Sequence, residues 1–304
     1  MRLSTAHGAF LKQYCPTHED QLRYCAGIGY RYIDFDLYDQ IETFMGDDWR
    51  VRVDSIRRVT EELGLRLNQA HSPEGFARGF LSEADAMERI ERSIEVCGML
   101  GIPRTVVHSL FYRRAVTVDE FIQRNVVFYN KIMCVAERHG VEILVENLGQ
   151  PRQIHFLYLM NGYELLEMIE AVGHPLIHAC WDTGHANHNM ADQSGSIRAL
   201  GKHLKALHIH DNTGDYDLQG VLPQQGRPNM DAHNLPFFGN INWDGVMSAL
   251  LSIGYEGTFN LEVDNPRCDQ KAPFYDASGQ EQRKLWKLPL NLREEVDRLQ
   301  CNIA

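Results

Sequence analysis

No stretch of this chain joins a basic start to an apolar run in the manner of an export leader, and no apolar run is long enough to span a bilayer. The chain opens directly on strand-like MRLSTAHGAF. The expectation is a cytoplasmic protein with no membrane partner. Cysteine is sparse and shows no pairing pattern: seven residues, scattered, with no CxxC. That argues against a disulfide framework or a thiolate metal site and for reduced, mostly buried thiols. Runs of Lys or Arg are missing as well, and the formal net charge is -11. A nucleic-acid partner is therefore not expected, because phosphate binding needs a basic face. No glycine-rich dinucleotide fingerprint follows the first strand-like segment, so no organic cofactor is expected. There is neither a linker nor a low-complexity tract. Residues 1–304 read as a single domain, with 265–304 forming a C-terminal helix or tail, its helix placed at Glu281–Gln300.

What is present is an ordinary globular composition, 44% hydrophobic and 23% charged, enough for one large packed body. Strand-like and helix-like segments alternate throughout. The strand candidates are Arg2–His7, Tyr30–Asp36, Leu65–His71, Arg104–Ser109, Val141–Glu146, Ile177–Asp182, Leu204–His210 and Gly257–Val263. Helices are predicted at His18–Ala26, Asp48–Leu63, Glu83–Leu100, Val118–His139, Tyr163–Ala171, Ser194–Leu200 and Trp243–Ser252. Gly29, Gly64, Gly101, Gly140, Gly173, Gly201 and Gly254 each stand between a helix and the next strand, where a left-handed residue ends many helices. Thr117 with Glu120 reads as a capping box, and Ser82 and Asn242 precede other helix starts. Eight strands alternating with helices predict an α/β fold, a single (β/α)8 TIM barrel. Asn212–Asn240 is long for a barrel loop and reads as a lid or rim element.

Four strand-like segments end in a carboxylate or imidazole: Glu146 in VEILVEN, Asp182 in HACWDTGH, His208 in LKALHIHDN and Glu262 in TFNLEVD. Residues two apart share a face of a strand. Leu144 thus goes with Glu146, Cys180 with Asp182, Ala206 with His208 and His210, and Asn260 with Glu262. Gln69 with His71, Val106 with His108, and Thr5 with His7 extend the ring of strand ends. A single His at such a place is ordinarily a hydrogen-bonded core or rim residue. Four or more acidic and imidazole ends at matched positions instead suit one divalent ion, Mn²⁺, Zn²⁺, Co²⁺ or Mg²⁺. A barrel gathers strand C-termini around one point.

VEN, WDTGH, HIHDN and LEVD, preceded by QAHSP and VVHS, resemble the xylose isomerase-like superfamily. The likeness is to its sugar phosphate isomerase/epimerase branch, which shares its fold with endonuclease IV. Asp231-Ala-His233 and Gly239-Asn-Ile-Asn-Trp243 are similar to the D-x-H and G-x-I-D-W signatures of that group, with Asn242 in place of the usual Asp. The resemblance implies a metal held by Glu146, Asp182, His208 and Glu262, with His185 beside it. It also implies proton transfer by Glu146 and Glu262 through a metal-stabilised enediolate of a small-molecule carbohydrate. A lyase or dehydratase acting on a keto-sugar or cyclitol is the alternative on the same scaffold. An endonuclease IV-like nuclease is the second, since His71, His108, Glu146, Asp182, His185, His208, Asp231, His233 and Glu262 all have counterparts in its metal set. The -11 charge stands against the nuclease.

Substrate-binding candidates are His71, His108, His185, His210, Asp231, His233 and Arg227. For all but His185 a second role stands beside this one: His71 and His108 as the extra metal ligands that the nuclease branch implies, His210 as a loop holder, Asp231 and His233 as a second metal site or a rim closure, Arg227 as a solvated loop residue. Phe111, Tyr112 and Trp181 are readable as packing or as a sugar-stacking face. Asp34, Asp36 and Tyr38 are readable as substrate contacts or structural hydrogen-bonders. His188 lies in a loop with no assigned role. A homo-oligomer is left open.

Overall fold

The computed structural model describes residues 1–8, 15–74, 82–110, 116–149, 158–214 and 233–263. Arg227, Asp231, Phe111, Tyr112, most of the 212–240 loop and the expected helix at 281–300 lie outside them.

The strands are β1 (Arg2–His7), β2 (Tyr32–Asp36), β3 (Arg66–His71), β4 (Arg104–Val106), β5 (Glu142–Glu146), β6 (Ile177–Asp182), β7 (Leu204–His208) and β8 (Thr258–Leu261). All pair in parallel, in the order β7-β6-β5-β4-β3-β2-β1-β8. A parallel bridge between Ile209 and Leu261 joins the two ends. Ile209 N–H donates to Asn260 O at 2.8 Å and Glu262 N–H to Ile209 O at 3.0 Å. The result is the expected (β/α)8 barrel. Its helices are α1 (His18–Ile28), α2 (Trp49–Glu62), α3 (Glu83–Leu100), α4 (Val118–His139), α5 (Gly162–Val172), α6 (Thr183–His188), α7 (Gln193–Leu200) and α8 (Trp243–Ser252).

Local chemistry accounts for the boundaries. Each of the seven glycines expected at helix ends has a positive φ. Ser82 makes a full capping box with Asp85 at the start of α3. Thr117 Oγ1 accepts from Glu120 N–H at 3.1 Å and Asn242 Oδ1 from Gly245 N–H at 3.1 Å. Three expectations shift. β4 stops at Val106 and β7 at His208, so His108 and His210 lie just beyond the strands rather than within them. The segment after Asp182 is not loop. It is the short helix α6, capped by Asp182 Oδ1, which accepts from His185 N–H at 2.6 Å. His188, expected in a loop, ends that helix buried, its Nδ1 3.0 Å from Gly214 O.

Register decides which face is which. Asp34, paired with Ala6 and Gln69, faces the barrel axis, and so do Leu144, Cys180 and Ala206. Val106, Leu144, Cys180 and Ala206 form a small apolar cluster inside the barrel. The opposite interior wall is polar: Gln69 Nε2 and Asn260 Nδ2 both donate to Asp34 Oδ2, at 2.9 and 2.8 Å. The main apolar core lies between barrel and helices. Trp181 belongs to it, fully buried, with Nε1 3.4 Å from Gln193 Oε1, so packing is its role. His7, placed with the ring of strand ends in sequence, pairs in register with Phe35 and points outward, against Phe35 and His18 of α1. It is no part of the site.

Candidate metal centre

At the C-terminal mouth of the barrel, ligand atoms of Glu146, Asp182, His208 and Glu262 all lie within 4.8 Å of one another. They come from β5, β6, β7 and the residue just past β8. Register matches Glu146 with Cys180 and Asp182 with His208, and Glu262 is held by its N–H bond to Ile209. Alternation then points the four side chains at one spot.

Glu146 is the hub. Its Oε1 lies 2.5 Å from His208 Nδ1, and its Oε2 lies 2.8 Å from His108 Nε2 and 3.5 Å from His71 Nε2. His208 Nδ1 is also 3.3 Å from Glu262 Oε2. Burial opposes charge on Glu146 and is the largest influence, yet His208 and the bonds from His108, His208 and His71 hold its carboxyl well below the usual range. Burial likewise opposes a charged His208, but Cys180, Glu262, Glu146 and the Asp34 contact outweigh it and hold its pKa well above the ordinary value. Asp182 is buried too, and His185 and His210 keep it lowered. His71 is raised, since its contact with Glu146 overcomes burial, whereas burial wins at His108.

This donor set fits a divalent ion. Three carboxylates and one imidazole are the hard-to-borderline ligands such ions take. In their buried pocket a protonated His208 lies between two carboxylate oxygens, so a positive charge is already demanded there.

The supporting contacts complete the design. His208 Nε2 lies 3.3 Å from Asp34 Oδ2, which turns Nδ1 toward the glutamates. Asn147 closes a two-bond clasp on the Asp182 backbone, donating to its O at 2.8 Å and accepting from its N–H at 2.7 Å. Its own carbonyl accepts from His185 Nδ1 at 3.0 Å, which leaves Nε2 as the ring's acceptor nitrogen. His210 is fully buried with Nε2 3.0 Å from both Asp182 oxygens. His233 stacks on His210 at 3.8 Å between centroids, and its Nδ1 donates to Glu262 O at 2.9 Å.

A family model described as the xylose isomerase-like TIM barrel matches residues 22–290. This chain belongs to that family. Inosose isomerase of Bacillus velezensis is 25% identical over 260 residues, 82% of this chain and 84% of that protein. D-psicose 3-epimerase of Ruminiclostridium cellulolyticum is 28% identical over 141 residues, 46% of this chain and 40% of that enzyme. Among solved structures, the IolI protein with a bound zinc atom matches with a TM-score of 0.72 at 18% identity, covering 100% of this chain and 99% of that one. A D-tagatose 3-epimerase-like protein matches at 0.69 and 18% identity, covering 97% and 99%. At that identity the solved structures establish the shared fold. Family and pocket together make the chain an enzyme.

Within this xylose isomerase-like barrel, the candidates fall into groups. His71 and His108 gather on Glu146, and His71, Glu146 and His208 form a second possible donor set. His185, His210 and His233 form a third. Sequence reasoning missed Asn147, Asp34 as the partner of His208, and Asp211. The last accepts from Trp243 Nε1 at 3.0 Å and from Phe237 N–H at 2.9 Å, pinning the segment 233–243 to the mouth. A signal for it existed. Gly239 of GNINW packs so close that a Cβ there would lie 2.0 Å from Asn212 O and 2.1 Å from Asp211 Oδ1. HIHDN and GNINW are therefore one interlocked unit.

Proposed function

We propose that the chain is a divalent-metal-dependent isomerase or epimerase of a small keto-sugar or keto-cyclitol, acting by proton transfer next to the carbonyl. The observation that carries this reading is the placement of two glutamates, Glu146 and Glu262, both meeting His208 Nδ1, in one four-donor pocket. Support comes from relatives named as inosose isomerase and D-psicose 3-epimerase. Glu146, Asp182, His208 and Glu262 would hold the ion, which supplies a Lewis acid that polarises the carbonyl and offsets charge developing on its oxygen.

The chain's residues do the rest. Glu146, kept ionised by its imidazole neighbours, takes the proton from the carbon beside the carbonyl, and Glu262 returns one from the other side. His185, its tautomer set by Asn147 O, offers Nε2 to a substrate hydroxyl. His71 and His108 orient Glu146 and border the same space. Among the described residues no helix is long and apolar enough to cross a membrane.

The test is hydrogen exchange in D₂O with a panel of inososes and ketohexoses. An isomerase or epimerase incorporates deuterium beside the carbonyl and returns an isomer of otherwise equal mass. A product lighter by water moves the assignment to a dehydratase on the same pocket. Absence of exchange with every substrate, in metal-loaded protein, overturns the proton-transfer reading.

A further inference from the structure

The barrel has a second opening, at the N-terminal ends of the strands. There a cavity of about 740 Å³ is lined by Arg2, Arg57, Arg66, Arg104 and Lys205 against only Glu61 and Glu256. Five cationic side chains thus line it against two carboxylates, with Arg104 and Arg57 also paired to Glu142 and Asp54 behind the lining, in a chain whose net charge is -11. Its size falls in the range of about 300–1,000 Å³ usual for small-molecule sites.

Its floor is built rather than incidental. Arg104 points into the barrel, as its register with Glu142 and the inward Val106 requires. It reaches across to β7, donating through Nη1 to Lys205 O at 2.6 Å while Nη2 meets Glu142 Oε2 at 3.0 Å. Asn68 bridges β3 to β8 and β1, donating to Thr258 Oγ1 at 2.8 Å and accepting from Ser4 Oγ at 2.9 Å. The floor is thus two polar clasps, one joining β4, β5 and β7 and the other β1, β3 and β8.

Helix C-termini face this end, and their carbonyls attract cations. That accounts for Arg57, which donates to Met99 O at 2.8 Å and pairs with Asp54 at 2.8 Å. It does not account for Arg2, Arg66 and Lys205. None of the three makes an ion pair among the described residues, and Arg2 only lies over the Tyr32 ring at 5.2 Å. The charge of Lys205 is felt nearby. His178, also at this end of the barrel, is pulled down to about 4, first by burial and then by Lys205, His203 and Arg104, although Glu142 lies 3.7 Å away.

We propose that this lower mouth is a second ligand site that takes a small, multiply charged anion of the phosphate-ester class, held by Arg2, Arg66 and Lys205 over the Arg104–Asn68 floor. Three cations without an ion-pair partner among the described residues, all lining one cavity, match two to three negative charges on a compact ligand. The site lies at the opposite end of the barrel from the metal centre and shares no residue with it.

Inorganic phosphate is the probe, titrated calorimetrically into the intact, metal-loaded chain at constant ionic strength. The expected result is saturable binding that weakens about tenfold or more in Arg66→Glu/Lys205→Glu and is retained in Asp182→Ala, which lacks a metal ligand. Arg66→Gln/Lys205→Gln serves in its place if the charge-reversed protein fails to fold. Binding that is unsaturable in the wild type, unchanged in the lower-mouth variant, or abolished by Asp182→Ala alone overturns the proposal.

Discussion

Three imidazoles approach Glu146, and the ring closest to it, His208, is itself held from behind by Asp34. Consequences at this scale are sharp. Glu146→Gln and Glu262→Gln keep size and an oxygen donor but take up no proton at neutral pH. Each is expected to lose turnover by roughly 10²–10⁴-fold while retaining much of its metal, as read from steady-state rates beside elemental analysis. Asp34→Asn leaves every proposed ligand in place but removes the charge behind His208 and alters the bonds from Gln69 and Asn260. Metal affinity should fall about 10–100-fold, the usual effect of an outer-shell partner, and a competition titration with a chelator measures it. An unchanged affinity would show that Asp34 serves the barrel interior alone. His7, outside the site, offers a pH test. Asp36 N–H donates to its Nδ1 at 3.1 Å, and burial lowers its pKa to about 4. The unfolded ring titrates near 6.5, so the unfolded chain binds the extra proton first. The stability this neutral ring contributes is complete above 6.5 and is lost as pH falls toward 4, by on the order of 3 kcal/mol. His7→Asn, which keeps an acceptor and no titrating ring, should show a flatter decline in urea melts over that window. Parallel curves would remove His7 from the account.

At the scale of elements, caps and close approaches carry the stability. Ser82 satisfies the first turn of α3 reciprocally with Asp85. Ser82→Ala should cost about 1 kcal/mol in urea unfolding, with the metal site untouched. Gly162 opens α5 against the backbone of α7, where an added Cβ would lie 2.4 Å from Ser196 O and 2.6 Å from its Cα. Backbone cannot step aside as a side chain does, so Gly162→Ala should destabilise by about 1–3 kcal/mol. Gly184 acts on the site itself: a Cβ there would fall 1.9 Å from His210 Cε1. This is the physical reason for glycine in DTGH, because any larger residue drives His210 off Asp182.

For the whole molecule, closure of the barrel is what makes a centre out of separate strand ends. The Ile209–Leu261 bridge brings β7 and β8 together, and with them His208 and Glu262, which are 54 positions apart in the chain numbering. Charge operates at the same scale. The -11 total repels a phosphate backbone, and the cationic mouth lies at the end of the barrel away from the metal centre. Metal-loaded protein is therefore expected to leave an abasic-site duplex intact in an incision assay. Robust metal-dependent cleavage would instead assign the extra donor sets around His71 and His185 to a nuclease.

Alternating segments, helix-ending glycines and capping residues made the barrel legible in the sequence, because each reports a local preference that the fold obeys. The four residues that cluster at the mouth were legible for the same reason: each sits at the end of an apolar run, and period-two alternation says which neighbours share its face. What alternation leaves open is which face turns inward. His7 and His208 end similar strands, yet register sends His7 against α1 and His208 to the axis. The clasp of Asn147 on Asp182, the hold of Asp34 on His208 and the anchoring of 233–243 by Asp211 link residues that are distant in sequence. No local propensity encodes such pairs. They exist only once a closed barrel has set the distances between its strand ends, and so tertiary structure alone decided which residues support the cluster and which, like His7, stay outside it.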